Sequence, residues 1–404
     1  MTSEGSPAKA TGAPPHLFPN YRRLPVAFVR GQGAWLYDEA GRAWLDCTSG
    51  IGVTVLGHAH PAVTEAIGRQ AAELLHCSNL YRIPQQEELA RRLAGLTGLD
   101  CAFFCNSGAE ANEAAIKLAR RYGWLRRGGG AGAAPEIIAF TGSFHGRTLG
   151  ALAATGQPHY HEGFGPLPAG FRHVPFNDLE AVEAAITPAT CAILVEPVQG
   201  EGGVVPPAPG FLAGLRELCD RHGLLLIADE VQTGCGRTGT FLAMQGEGVR
   251  PDVVTLAKAL ANGVPIGAML ADGRLAEVLG PGTHASTFGG NPLAAAAALA
   301  TLEVLEREDL PARAATLGAH LRQRLEAVAR RHPGCQEVRG RGLMLGLVLD
   351  GPAQPVVEAC FAEGLLVTVA GGRVVRFLPP LTITAAELDE AVDRLERALA
   401  RAGR

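Results

Sequence analysis

Lys258 sits inside the apolar run Val253-Val254-Thr255-Leu256-Ala257-Lys258-Ala259-Leu260, in a chain whose 36 basic residues include only three lysines. Lys9 lies in a loose tail and Lys117 follows Glu113 by one helical turn, so each has an ordinary solvated or ion-paired reading. Lys258 has neither. A lysine kept where arginine fills nearly every other basic position points to chemistry a guanidinium cannot do. It can lose its proton and attack a carbonyl as an amine, with a Schiff base to an aldehyde cofactor as the leading case. The ordinary alternative is a stem that packs and a head that snorkels to water. A second group bears on the choice. The run Leu224-Leu225-Leu226-Ile227-Ala228 ends in Asp229-Glu230, so a carboxylate and an amine both stand where apolar strands stop, and open parallel sheets bind ligands there. An acid at that depth must be paired or neutral. A pyridinium nitrogen would hold it ionised and keep the ring an electron sink, whereas a turn cap or an arginine pair is the plainer reading of Asp229.

Two further strand stops carry polar groups. Phe103-Phe104-Cys105-Asn106-Ser107-Gly108-Ala109-Glu110 leads into an amphipathic helix. Ser107 and Glu110 have capping-box spacing, and Gly108 and Ala109 leave the backbone N–H groups at the helix start uncovered, an anion site that suits a cofactor phosphate. After Ile137 to Phe140 comes Gly142-Ser143-Phe144-His145-Gly146-Arg147-Thr148, where an aromatic can cover a cofactor ring and an arginine can grip a substrate carboxylate bidentately. Taken singly, Phe144 reads more readily as core than as a cofactor lid. Gly234-x-Gly236-x-x-Gly239 matches a dinucleotide fingerprint literally, but it follows Val231-Gln232-Thr233 and leads into Thr240-Phe241-Leu242 with no helix opening, so the sequence argues against a nicotinamide site.

These positions need a scaffold. Short apolar runs at Ala102 to Cys105, Glu136 to Phe140, Cys191 to Glu196, Leu224 to Asp229 and Val253 to Ala257, several with helical stretches between them, predict a large, mainly parallel α/β sheet domain. Gly33 to Asp46 reads as a hairpin with an acidic turn, and the segment after Pro292 as an alanine-rich helix, further strands and a closing helix from about Ala385. The expected organisation is a mobile N-terminal segment 1–20, a large domain 61–299, and a smaller α+β domain made of both chain ends, 21–60 and 300–404. The glycine tract Gly128 to Gly132 reads as a flexible loop. A length of 404 residues exceeds one compact core. A net charge of −4 with dispersed arginines gives no nucleic-acid footprint. Nine cysteines with no C-x-x-C pair, no long apolar span and no secretory segment lead us to expect reduced thiols in a cytoplasmic protein, with no membrane anchor and no metal.

Asn106-Ser107-Gly108-Ala109-Glu110-Ala111-Asn112, Phe144-His145-Gly146-Arg147-Thr148, Glu196-Pro197-Val198-Gln199-Gly200-Glu201-Gly202-Gly203, Asp229-Glu230-Val231-Gln232-Thr233-Gly234, Thr255-Leu256-Ala257-Lys258 and Ser286-Thr287-Phe288-Gly289-Gly290-Asn291-Pro292 occur in this order. Together they resemble the fold-type I, class III aminotransferases, which depend on pyridoxal 5′-phosphate and act on ω-amino acids. The resemblance runs from Tyr21 to the C-terminus. It implies Lys258 as the Schiff-base lysine, Asp229 as partner of the ring nitrogen, Phe144 against the ring, Gln232 at its phenolic oxygen, and Ser107 and Val231 as further cofactor-binding residues. It places the phosphate on Gly108 and Ala109, with Thr287 from a neighbouring subunit, hence a homodimer with shared active sites. Substrate contacts fall to Arg147 and Ser286, and Arg376 would hold the α-carboxylate of 2-oxoglutarate, with Glu201 as a gate that pairs with Arg376 while the donor reacts. Ala285 departs from the glycine common in the family. Gly57-His58-x-His60-Pro61, Ser78-Asn79-Leu80-Tyr81 and His145 are most similar to the branch acting on N-acetylornithine. The sister branches acting on ornithine, succinylornithine, 4-aminobutyrate or carrier-bound lysine are the rivals, and Tyr21 resembles a substrate-binding segment of the ornithine branch. A cofactor-free binding protein on the same fold is a rival of another class, against which intact Lys258 and Asp229 argue.

Overall fold

A computed structural model describes residues 16–129 and 134–403. Most of the N-terminal lead-in and Gly130 to Gly132 of the glycine tract lie outside the described residues. A seven-stranded sheet holds, in spatial order, Cys101–Cys105, Gly267–Ala271, Val253–Leu256, Leu225–Asp229, Thr190–Val195, Glu136–Phe140 and Phe171–Val174. All neighbours pair in parallel except Gly267–Ala271, which runs antiparallel to both of its partners. Thr190–Val195 and Leu225–Asp229 are buried along their whole length, which accounts for their unbroken apolar runs: helices cover both faces of a parallel sheet. The five strands expected from sequence are present within one residue of their bounds. Phe171–Val174 and the antiparallel Gly267–Ala271 were not foreseen.

Two four-stranded sheets complete the chain. Phe28–Gln32, Trp35–Asp38 and Ala43–Asp46 form an antiparallel meander, and Leu365–Leu366 adds to its edge in parallel with Ala43–Asp46. Cys335–Arg341, Met344–Leu349, Val374–Phe377 and Thr368–Ala370 form the other, antiparallel throughout. The N-terminal hairpin is thus built into the C-terminal part of the chain. The helix Ala385–Arg401 seals the union. It buries Leu388, Ala391, Val392, Leu395, Ala398 and Leu399, a stripe at helical spacing. Thr384 and Glu387 form a reciprocal capping box at its start, and Glu387 also accepts the indole N–H of Trp35 at 2.8 Å. No described helix is long and apolar enough to cross a membrane. No disulfide joins the nine cysteines, and burial raises the thiol pKa of seven of them, Cys105, Cys191, Cys219, Cys235 and Cys360 to about 12.

Candidate active site

One residue, Ala257, separates Lys258 from the strand Val253–Leu256, and Lys258 starts a 3-10 turn with φ of +42°, left-handed backbone that a non-glycine residue adopts only under constraint. Its side chain lines a cavity of about 430 Å³ with Asp229, Asn112, Phe144, Gln232 and Ile266 among the walls. Burial lowers the ammonium pKa. Glu201, Asp229 and Glu196 oppose that shift and Arg376 adds to it, with a net depression that favours the free amine. Asp229 ends the adjacent strand and is 3% exposed. Its Oδ2 accepts from Asn112 and from His145 Nδ1, both at 2.8 Å, and its Oδ1 from the Val231 N–H at 3.1 Å. The turn-cap reading of Asp229 is therefore met in part. No arginine among the described residues pairs with it.

The helix Gly108–Arg126 opens onto the same cavity. The N–H groups of Gly108 and Ala109 have no acceptor among the described residues, so the helix start presents donors and the positive end of its dipole. A Cβ on Gly108 would lie 2.6 Å from Val231 Cγ1, so only glycine allows Val231 to close over this helix start. The expected capping box is incomplete. Ser107 Oγ accepts from the Glu110 N–H at 3.2 Å, but Glu110 reaches back to the N–H of Asn106, one residue beyond Ser107, at 2.5 Å. Lys117 also departs from expectation. Glu113 is taken by the Thr148 hydroxyl and the N–H groups of Gly150 and Ala151, and Lys117 turns to the Thr283 carbonyl and His284.

Phe144 lines the cavity, its N–H donating to Glu196 at 2.8 Å. Arg147 stands at the same cavity with its guanidinium 3.8 Å from the Tyr160 ring and 5.5 Å from that of Phe144. Arg376, on Val374–Phe377 of the C-terminal sheet, is 1% exposed and meets Glu201 at 2.6 Å. Gln232 joins the pair, accepting from Arg376 at 3.1 Å and donating to Glu201 at 3.2 Å. Burial works against ionisation of Glu201, but the Arg376 guanidinium outweighs it, with Lys258 and Gln232 helping, and holds the carboxyl below its usual range. Ser286 and Thr287 lie outside the Lys258 cavity of their own chain. They line a neighbouring groove with Phe103 and Leu80, and the Ser286 hydroxyl is occupied by the Gly289 N–H at 3.0 Å. The glycines of the dinucleotide-like stretch lie in turns between Glu230 and Phe241 and do not open a helix; the four-residue helix Ala243–Gly246 begins only beyond them.

The family described as Aminotransferase class-III matches residues 18–399. The chain belongs to the class-III aminotransferases. A protein of Bordetella bronchiseptica named acetylornithine aminotransferase 1 is 53% identical over 374 residues, 92% of this chain and 94% of that one. Among solved structures, the ornithine aminotransferase of Toxoplasma gondii superposes with a TM-score of 0.93 at 37% identity, covering 96% of this chain and 92% of that one. The N-acetylornithine aminotransferase of Stenotrophomonas maltophilia superposes at 0.82 and 41% identity, covering 94% and 97%.

As a class-III aminotransferase this chain is a fold-type I enzyme dependent on pyridoxal 5′-phosphate, and its residues fit that group. A desolvated amine, a fixed buried carboxylate, a flanking aromatic and an open helix start converge on one cavity of suitable size. Three contributors had no role assigned from sequence: Asn112, His145 and Glu196. Asn112 is a polar residue on the buried stripe of its helix, beside Ala111, Ala115 and Ala119. Glu196 follows a fully buried strand, so the rule that singled out Asp229 applied to it as well. Burial pushes the Glu196 carboxyl up to about 7, with His145 pulling against the shift and Asp229 adding to it.

Proposed function

We propose that this aminotransferase moves the terminal amino group of N2-acetyl-L-ornithine to 2-oxoglutarate, giving N-acetyl-L-glutamate 5-semialdehyde and L-glutamate, a step of arginine biosynthesis. One observation carries the reading: of the two guanidiniums near Lys258, one is masked and the other is free. Arg376 is engaged by Glu201, whereas Arg147 has no hydrogen-bond or ion-pair partner among the described residues. The donor brings an uncharged methylene beside its reacting amine and one remote carboxylate. Arg147 suits that carboxylate, and Glu201 keeps Arg376 from drawing it to the wrong end. The acceptor brings a carboxylate next to its ketone and a second one farther off. Release of Glu201 exposes Arg376 to the first, while Arg147 takes the second. The relatives named for acetylornithine support the same donor.

Pyridoxal phosphate, when bound, supplies an electrophilic carbonyl and an electron sink. Asp229 would meet its ring nitrogen and Gln232 its phenolic oxygen, Phe144 and Val231 would flank the ring, and Ser107, Gly108 and Ala109 would hold the phosphate. Lys258 would hold the cofactor through its amine and serve as the base that carries the proton, a role its depressed pKa favours. We further assign Thr287 to the phosphate and Ser286 to the substrate of a neighbouring subunit in a cytoplasmic homodimer. The exposure of Leu80 (86%), Tyr81 (69%) and Phe288 (59%) around their groove supports this. We also propose the division into 61–299 and a smaller domain of 21–60 with 300–404, supported by the strands of the large sheet all falling within 101–271 and those of the two smaller sheets outside that range. Tyr21, which favoured the ornithine reading, is 65% exposed and is absent from the cavity lining.

The test is a single-turnover half-reaction. The holoenzyme is mixed in turn with N-acetylornithine, ornithine, succinylornithine and 4-aminobutyrate, and the change in cofactor absorbance is timed. Fastest conversion with N-acetylornithine is expected. Faster conversion with another donor would move the enzyme to a sister reaction.

A further inference from the structure

Arg147 is an exposed cation with five N–H donors and no acceptor among the described residues, yet it keeps a defined place at the cavity. Its guanidinium carbon lies 3.8 Å from the centroid of the Tyr160 ring, closer than to Phe144 at 5.5 Å. Tyr160 in turn meets Phe144 edge to face, at 5.7 Å and 78°. The His159 ring lies 3.9 Å from it, tilted by 50°. The short 3-10 turn Pro158–Tyr160 that presents this ring is stapled on both sides. Gln157 donates to the carbonyls of Ser143 at 3.1 Å and Gly142 at 3.3 Å, and the His161 ring bonds the Thr155 carbonyl at 2.9 Å. Tyr160 is thus tied to the loop that carries Phe144 and Arg147, and moves with it.

We propose that Tyr160 is a positioning residue that sets the donor-carboxylate subsite by holding the Arg147 guanidinium on its ring face. The inference rests on the reading of Arg147 as the group that takes the donor's remote carboxylate. An arginine fixed by an ion pair would lose its donors to that partner. One fixed by a π face keeps the edge of its planar fork open for a bidentate carboxylate while its flat side is attracted to the ring. The ring therefore selects among rotamers of a long side chain without consuming the donors that read the substrate, and its removal should cost affinity for the carboxylate alone.

The experiment uses N-acetyl-L-norvaline, which has the donor's carbon chain and carboxylate but no terminal amine, and its carboxamide, each titrated into the holoenzyme by calorimetry. Tyr160→Leu should weaken the carboxylate ligand about three- to tenfold, the range of a cation–π contact at a partly exposed site, and leave the carboxamide unchanged. Tyr160→Phe, which keeps the ring, should restore wild-type binding. In an Arg147→Met background, Tyr160→Leu should add nothing further. Equal weakening of both ligands, or unchanged carboxylate binding in Tyr160→Leu while Arg147→Met weakens it, would overturn the role of Tyr160. Unchanged carboxylate binding in Arg147→Met itself would overturn the underlying reading of Arg147, and the inference with it.

Discussion

Asp229 and Glu201 both act electrostatically on Lys258, but they are anchored in opposite ways. Asp229 is held by Asn112 from one helix, His145 from the loop after another strand and the backbone of Val231, so moving it would break bonds to three segments at once. Glu201 relies on Arg376, with a weaker bond from Gln232, and its side chain keeps 24% of its surface open. A carboxylate that must stay put is distributed over several elements, and one that must let go is given a single strong partner and a way out. The proposed gate thus sets a wall able to exchange partners against a floor bonded to three segments.

Substitutions should separate the two regions in order of severity. Lys258→Ala should abolish turnover together with the visible absorbance of the bound cofactor, and retained turnover would remove Lys258 from the chemistry. Asp229→Asn should lower kcat about 10²- to 10³-fold, the scale of losing one preorganised electrostatic group. Steady-state kinetics with a near-wild-type rate would show that the floor is only structural. Glu201→Ala should act on choice more than on rate, reducing discrimination between N-acetylornithine and other donors about tenfold with little loss of cofactor retention. Half-reaction rates unchanged for every donor would refute the gate.

Least visible in turnover is a third carboxylate, Glu230. It is fully enclosed, accepting from the Met244 N–H at 2.9 Å and from the Thr233 hydroxyl, and burial pushes it up to about 7 from 4.5. The native protein therefore keeps this proton where the unfolded chain has lost it, so its contribution to stability falls as pH rises from about 4.5 through about 7. Glu201, held low, has the opposite sign. Its contribution is present above the ordinary glutamate range and lost as pH falls below it. Chemical denaturation of wild type and Glu230→Gln across this range should show a shallower decline in the variant. Parallel curves would mean that Glu230 is not the source.

Lys258 and Asp229 were legible because each interrupts an apolar run at its end, where a polar residue has no packing reason to be. Asn112 and His145 were not assigned, since their value lies in reaching Asp229 from positions far along the chain, and local pattern carries no record of that meeting. Glu110 and Lys117 show the reverse failure. Helical spacing named partners, but Glu110 bonds Asn106, one residue before the expected Ser107, and Lys117 turns to His284, a tertiary neighbour. The antiparallel Gly267–Ala271 escaped notice because its burial on every residue looks no different from that of its parallel neighbours.

The pairing of Leu45 with Leu365 and of Asp46 with Leu366 has a consequence for synthesis. On the ribosome, the N-terminal meander must wait with an unpaired apolar edge until almost the whole chain has emerged. During that time the large sheet can assemble from contacts nearer in sequence, whereas the strand bearing Arg376 emerges only after Leu366 and is completed with the last third of the chain. Every residue lining the Lys258 cavity thus leaves the ribosome before Arg376, the proposed discriminator of substrates, and the unpaired edge of Ala43–Asp46 is where a chaperone would be most useful.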